Sequence, residues 1–513
     1  MNTANKSKRL AATLVGILAM GGIATQALAQ ETRFDKLANL PFAEGRPTPE
    51  TAQTLRDEQL FQRATQTYLW ALPLINTLGM QAGSEKTFGA GYSVLSIWKR
   101  RLDGKTLVTT PNSDVLYAMS YVDLGKDGPL VMEAPPGLQG ILLDYWQRPI
   151  PVDGGKFAGD VGLAGPDLGK GGKFLLLPPG YKGAVPEGYY VYRSGTYNVF
   201  VFLRGFYQDP KMLTPAVELL EKTKIYPLNG EAGAKPMQFP DASGVPVNML
   251  PISDGSVFDQ LKLLVDKEGD NLAGPDWLGM LAAIGIVKGQ PFTPDAHARE
   301  ILDQAAKTAY KTSRVIGFQE VVSGRSFRVY PDRRWINPVT DGTPANPGGA
   351  LDLAWKNIAG GYLDLDSRIW FFTDYYSWSP GMLSQIPGKG AKYLVGFTDG
   401  QGMLLLGDRN YRLHLPPNIP AANFWSLTLY DAASASGLAN GQPFPSLGSR
   451  DKPVQNADGS TDLYIGPKAP EGKTGNWLAT VPGKGFFTVI RFYGPTEPAI
   501  NNSWKPGDLE AVK

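Results

Sequence analysis

A chain of 513 residues with 50 Lys and Arg against 48 Asp and Glu is nearly neutral, so charge alone points to no nucleic acid or other polyanion partner. Cysteine is absent, which excludes thiol nucleophiles, iron–sulfur clusters and cysteine–zinc sites, and two histidines cannot build a three-histidine zinc centre. Any metal would need carboxylate and carbonyl oxygens, which suits magnesium or calcium; otherwise no cofactor is expected.

The chain opens with Lys6, Lys8 and Arg9, a mostly apolar stretch over residues 10–28, and Ala27-Leu28-Ala29, a small-x-small cleavage signal. This predicts a signal peptide over residues 1–29, cut between Ala29 and Gln30, and a periplasmic or secreted protein. The apolar part is too short and glycine-rich to favour a stable membrane span. Its removal takes away three cations and no acid, which turns the net charge of +2 into −1. With 60 glycines, 42 prolines, 22 Phe, 22 Tyr and 11 Trp, the composition is that of a turn-rich β protein.

Residues 30–100 form a helical N-terminal segment. Leu55, Leu60, Phe61, Ala64, Tyr68 and Leu69 recur at helical spacing over residues 49–82, and Pro73 is expected to end or kink that helix. Residues 101–230 form a first β-rich module, with strands over 115–122, 130–133, 141–146, 174–177, 189–193 and 198–203. Eight glycines among residues 154–173 suggest a mobile loop or lid. Gly169-Lys170-Gly171-Gly172 completes no phosphate-loop fingerprint. A helix is expected over 212–224, and a helical connector and linker follow over 231–389, with helices over 256–267 and 295–322 and a polar connector over 337–349. Residues 390–513 are strand-dominated again, with strands over 402–406, 411–415, 424–430, 461–465 and 486–492 and a hairpin tip at Asp458-Gly459. The fold class expected is α+β and β-rich, with two β modules, a helical N-terminal segment and a helical connector.

Three constellations carry chemistry. The first is Asn112, Asp114 and Tyr117, where a Pro-Asn turn feeds a strand. Asp114 suits a general base, with Asn112 and Tyr117 orienting a polar group; alternatively Asn112 and Asp114 satisfy backbone groups in the turn. The second is Asp144-Tyr145-Trp146 with Asn198 and Arg204. An acid among aromatics can have a raised pKa, and Arg204 after an apolar strand calls for a carboxylate partner. The third is Trp425, Tyr430, Asp431, Asn476-Trp477 and Arg491, which suits an aromatic or sugar-like ligand or, equally, a sandwich core with hydrogen-bonded tips. His414, between Leu413 and Leu415, is a better candidate than His297. Ser96-Ile97-Trp98-Lys99 with Lys473-Thr474-Gly475 follows the order of penicillin-recognising serine enzymes but lacks the intervening Ser-Asp-Asn.

These motifs resemble an exported bacterial family of two modules, the domains of unknown function 1254 and 1214. The resemblance runs through Tyr68-Leu69-Trp70-Ala71-Leu72-Pro73, Pro111-Asn112-Ser113-Asp114, Val122-Asp123-Leu124, Asp144-Tyr145 and Asn198-Val199-Phe200 to Arg204. It is closer at Phe424-Trp425-Ser426-Leu427-Thr428-Leu429-Tyr430-Asp431, Asn476-Trp477, Arg491-Phe492-Tyr493 and Trp504. It implies β-sandwich-like modules with helical additions, and a homo-oligomer. It implies no settled activity.

The leading expectation is an exported hydrolase using carboxylates on a polar or aromatic-containing small molecule or polymer. Asp114, Asn112, Tyr117, Asp144 and Arg204 would be catalytic, and Tyr145, Trp146, Asn198, Trp425, Tyr430, Asn476, Trp477 and Arg491 would bind substrate. A non-catalytic ligand-binding or envelope-assembly protein is the rival. Divalent-ion-assisted cleavage of an RNA phosphodiester is a further alternative.

Overall fold

The computed structural model describes residues 31–322, 325–337, 356–357, 361–383 and 387–512. The expected signal peptide and most of the expected connector over 337–349 lie outside the described residues. The described residues up to Arg56 and those from Asp57 onward form two compact units. In the first, Thr32 caps the helix Arg33–Ala38 reciprocally: its Oγ1 accepts from Asp35 N, and the Asp35 carboxylate accepts from Thr32 N at 3.0 Å. A two-strand hairpin turns on Glu44 and Gly45, both at positive φ.

Within the second unit, four sheets form two sandwiches. The first pairs a five-stranded sheet, ordered Ser96–Ile97, Leu116–Asp123, Asn198–Gly205, Gln139–Asp144 and Asp160–Val161, with a four-stranded one built on Leu130–Ala134 and Gly172–Leu177. The second pairs a sheet ordered Ala391–Gly396, Phe486–Pro495, Ala421–Asp431 and Ser446–Gly448 with one built on Asn410–Leu415 and Thr461–Gly466. Apolar alternation sorts the faces. Ala118, Val122, Val199, Val201 and Leu203 meet Leu130, Met132, Phe174 and Leu176 inside the first sandwich. Leu427, Leu429, Ile490 and Phe492 meet Leu413, Leu463 and Ile465 inside the second. Each buried side chain of this size contributes about 1.5–3 kcal/mol.

The outer faces of the two large sheets are also apolar. Tyr117, Met119, Tyr121, Phe200 and Phe202 form one core with Tyr376 and Phe424, while Tyr393, Tyr430, Phe487 and Val489 form another with Phe327 and Trp370. Both sheets are therefore covered on both sides, and the cover includes a helical layer. Its helices share a core of Tyr68, Leu72, Leu261, Ala305, Phe372 and Trp146.

Several elements depart from expectation. The helix Pro49–Phe88 continues through Pro73 instead of ending there. Thr77 Oγ1 and Gln147 Nε2 donate to the Pro73 carbonyl at 3.0 and 3.3 Å. Farther along, Cβ atoms on Gly79 and Gly83 would stand 2.1 and 2.0 Å from the Leu250 and Asn248 carbonyl oxygens, so only glycine admits this approach. Leu365–Asp374, in the expected linker, is a helix in which every residue from Ser367 to Asp374 is buried. Burial all round erases the amphipathic period, and its aromatics read as strand formers. Residues 402–406 make only isolated bridges, at Leu404 and Leu406. Lys99 of the serine-enzyme-like motif is tied to Glu221 at 2.6 Å.

Candidate functional site

Strand alternation puts Arg204 on the outer face of the first sandwich, in line with Phe200 and Phe202 and directly opposite Tyr117. On the second sandwich, Arg491 stands directly opposite Tyr393. These two tyrosine–arginine pairs line one cavity of about 40 Å³. Tyr375, Tyr376 and Ser377, which leave the helix Leu365–Asp374, form its third wall with Met382. Asn112 and Tyr493 close it from the two modules, the Asn112 amide donating to the Tyr493 hydroxyl. The oxygen of that amide accepts from Asp114 N at 2.7 Å, which fixes its orientation.

Neither arginine touches a carboxylate among the described residues. Arg491 is buried and donates to Thr428 Oγ1 and the Thr110 carbonyl, each at 3.2 Å. Arg204 donates to the Met382 sulfur at 3.0 Å, and its Nε is buried without a partner. Among the described residues neither forms an ion pair, so the expected carboxylate partner of Arg204 is not there. The buried Tyr375 hydroxyl also has no hydrogen bond. Buried polar groups are rarely left so, because each unsatisfied group costs about 1–3 kcal/mol.

Burial pushes the hydroxyls of Tyr117, Tyr375, Tyr376, Tyr393 and Tyr493 above the usual tyrosine value. They remain protonated donors and cannot serve as bases near neutrality. Burial lowers the Arg491 guanidinium, but the surrounding tyrosines, Tyr430 foremost, raise it further, so it stays charged. The cavity therefore presents two cations and several O–H donors. Its backbone is also strained: the cavity-lining Thr110 and Ser377 adopt φ of 36° and 56°.

The nearby carboxylates have other engagements. Asp114 is paired with Arg101 at 3.0 Å, accepts from Ser446 Oγ at 3.2 Å, and shares Arg101 with Asp451 of the second module. Asp144 accepts from Trp146 N, Arg148 N and Arg148 Nε, and burial raises its pKa despite that arginine. Neither lines the cavity. Asp160, unremarked in the sequence, accepts from Gly381 N at 2.7 Å beside Met382. Burial pushes its pKa up to about 6 against the opposing pull of Ser379, Gly381 and Arg204.

The structure thus brings Asn112, Tyr117, Arg204 and Arg491 together and places the other expected residues in the framework. Tyr145 and Trp146 lie in the helical core, with Trp146 Nε1 donating to the Leu272 carbonyl. Asn198 is held by Glu268, and Trp425 is buried in the second sandwich. Tyr430 donates to the Pro111 carbonyl at 2.6 Å, behind the cavity wall. Asn476 clamps Val454 and the Asp462 carbonyl, and Trp477 donates to the Gly466 carbonyl. His414 pairs with Asp462 directly across a strand ladder, and His297 with Asp57. No three His, Asp or Glu side chains converge as a metal cage among the described residues. Tyr375, Tyr376 and Ser377 were not legible as site residues, because their segment carries neither an alternating nor a helical pattern.

Comparison with known proteins finds two family matches in the chain. Residues 93–227 match the family described as protein of unknown function (DUF1254), and residues 390–497 match protein of unknown function (DUF1214). No curated protein matches the chain. The VPA0106 protein of Vibrio parahaemolyticus is similar in fold at 18% identity, over 89% of this chain and 100% of that one, with a TM-score of 0.50. An uncharacterised protein of Burkholderia cenocepacia aligns at 14% identity, over 93% of each chain, with a TM-score of 0.41. The residues that line the cavity thus come from both matched regions and the segment between them, and the chain carries a DUF1254 region over residues 93–227 followed by a DUF1214 region over residues 390–497.

Proposed function

We propose that the junction cavity binds a small anionic molecule and that this protein acts as a ligand-binding protein, met by its ligand after export to the periplasm or the medium. One observation carries the reading: Arg204 and Arg491 reach a single cavity from two different domains, and neither has a carboxylate partner among the described residues. A guanidinium with no directly paired carboxylate is poorly compensated, and a bound anion supplies that counter-charge. The protonated tyrosine hydroxyls and the fixed Asn112 amide add donors around it. Binding is favoured over carboxylate-based hydrolysis because Asp114 and Asp144 are engaged away from the cavity.

Calorimetry with acetate and inorganic phosphate tests this. A hydrogen bond to a charged group contributes about 1.5–3 kcal/mol, so Arg204→Met and Arg491→Met should each weaken binding about tenfold or more. Unchanged affinity in both variants, or no binding of either anion by the native protein, defeats the reading.

A further inference from the structure

The cavity has room for a few water-sized groups and no more, since one ordered water needs about 10–15 Å³ of such space. A carboxylate head fits between the arginines; the body of the same molecule does not. That body must lie outside the cavity, and exposed apolar side chains stand near it. Phe206 continues the face of Phe202 and Arg204, lines the cavity, and is 42% exposed. Across the ladder from Arg204 stands Gln139, whose side-chain oxygen accepts from Leu163 N at 3.2 Å. Leu163 is 73% exposed, and its neighbour Ala164 packs on Gly381, next to cavity-lining Met382. Leu168 of the same glycine-rich loop is 59% exposed. Large apolar side chains gathered beside a charged pocket mark the two ends of one amphipathic ligand.

Resting on the anion-binding reading, we propose that the ligand is an amphipathic carboxylate, with its head between Arg204 and Arg491 and its alkyl chain across Phe206, Met382 and Leu163. The guanidinium forks suit carboxylate and phosphate alike, and the small cavity favours the smaller, planar carboxylate.

The test is calorimetric titration of the full chain with acetate, hexanoate and decanoate, with decanol and decyl phosphate as controls. Affinity should rise by up to about fourfold per covered methylene, and by at least about 100-fold from acetate to decanoate. Leu163→Ser, outside the cavity lining, should flatten that rise and leave acetate binding unchanged. Decanol and decyl phosphate should bind at least about tenfold more weakly than decanoate, as expected from one lost charged hydrogen bond. Equal affinity for acetate and decanoate, with acetate still lost in Arg204→Met, overturns the amphipathic ligand and leaves the anion site standing. Tighter binding of decyl phosphate overturns the carboxylate head. A chain-length dependence that survives in the Arg204→Met, Arg491→Met double variant overturns the proposed pose. Absence of binding by every anion overturns both readings.

Discussion

Arg204 and Arg491 hold equivalent places in two different sandwiches. Each sits on the outer face of a sheet that is buried on both sides, each stands directly opposite a tyrosine, and the two meet at one cavity. Their surroundings differ. Arg491 has two oxygen acceptors, whereas Arg204 has a thioether.

That difference predicts opposite effects on stability without ligand. Sulfur is a weak acceptor, so Arg204→Met removes a poorly satisfied charge and should stabilise the protein by about 1 kcal/mol. Arg491→Met orphans the buried Thr110 carbonyl and should destabilise by about 1–3 kcal/mol. Urea unfolding of both variants measures this; a loss in Arg204→Met equal to that in Arg491→Met would contradict the assignment.

Asp114 is expected to matter for stability rather than for ligand affinity. It shares Arg101 with Asp451, so it ties the first domain to the second. Breaking a buried pair by removing one partner costs about 3–5 kcal/mol. Asp114→Ala should show a loss of that order in denaturant while the folded fraction binds anions as the native protein does. A selective loss of binding with stability intact would restore Asp114 to the site.

Legibility in the sequence followed the periodicities. Alternation exposed the strands around Tyr117, Arg204 and Arg491, so with Asn112 of the preceding turn four of the fourteen lining residues were nameable from residue types. The same alternation could not tell a covered outer face from a solvated one, and it left Trp425 and Trp146 as binding candidates when both are packed in cores. The helix Leu365–Asp374 and the tyrosines after it were hidden because burial on all sides leaves no period to read. Asp114 and Asp144 looked catalytic by type, and only three-dimensional neighbours, Arg101 and Arg148, reveal their engagement.

Asp160 sets a pH dependence. Burial raises its folded pKa to about 6, above its ordinary value of 3.8. The folded state therefore prefers the protonated acid: this contribution is fully present below pH 3.8 and is lost as pH rises through about 6. Asp160→Asn keeps the neutral form throughout, so it should gain stability relative to the native protein between those two values. The shift of roughly two units corresponds to about 3 kcal/mol. Thermal denaturation at steps across the interval checks it, and parallel curves for the two proteins would rule the shift out.

The strained residues of the cavity wall should part company on substitution by glycine. Ser377 and Thr110 both have left-handed backbones, a conformation that costs non-glycine residues about 1–2 kcal/mol. The Ser377 hydroxyl makes no hydrogen bond among the described residues, and its backbone N donates to Gln147 Oε1 at 2.6 Å in a way glycine preserves. Ser377→Gly therefore relieves strain and should gain up to about 1 kcal/mol after the extra chain entropy of glycine is subtracted. Thr110 Oγ1, by contrast, donates to the Asp374 carbonyl at 2.6 Å, so Thr110→Gly loses a buried hydrogen bond along with the strain. That bond and the orphaned carbonyl together outweigh the relief, and a net loss of about 1 kcal/mol is expected. Differential scanning calorimetry on both variants decides the matter: a higher Tm for Thr110→Gly than for Ser377→Gly would show that strain, not the hydroxyl, governs the wall.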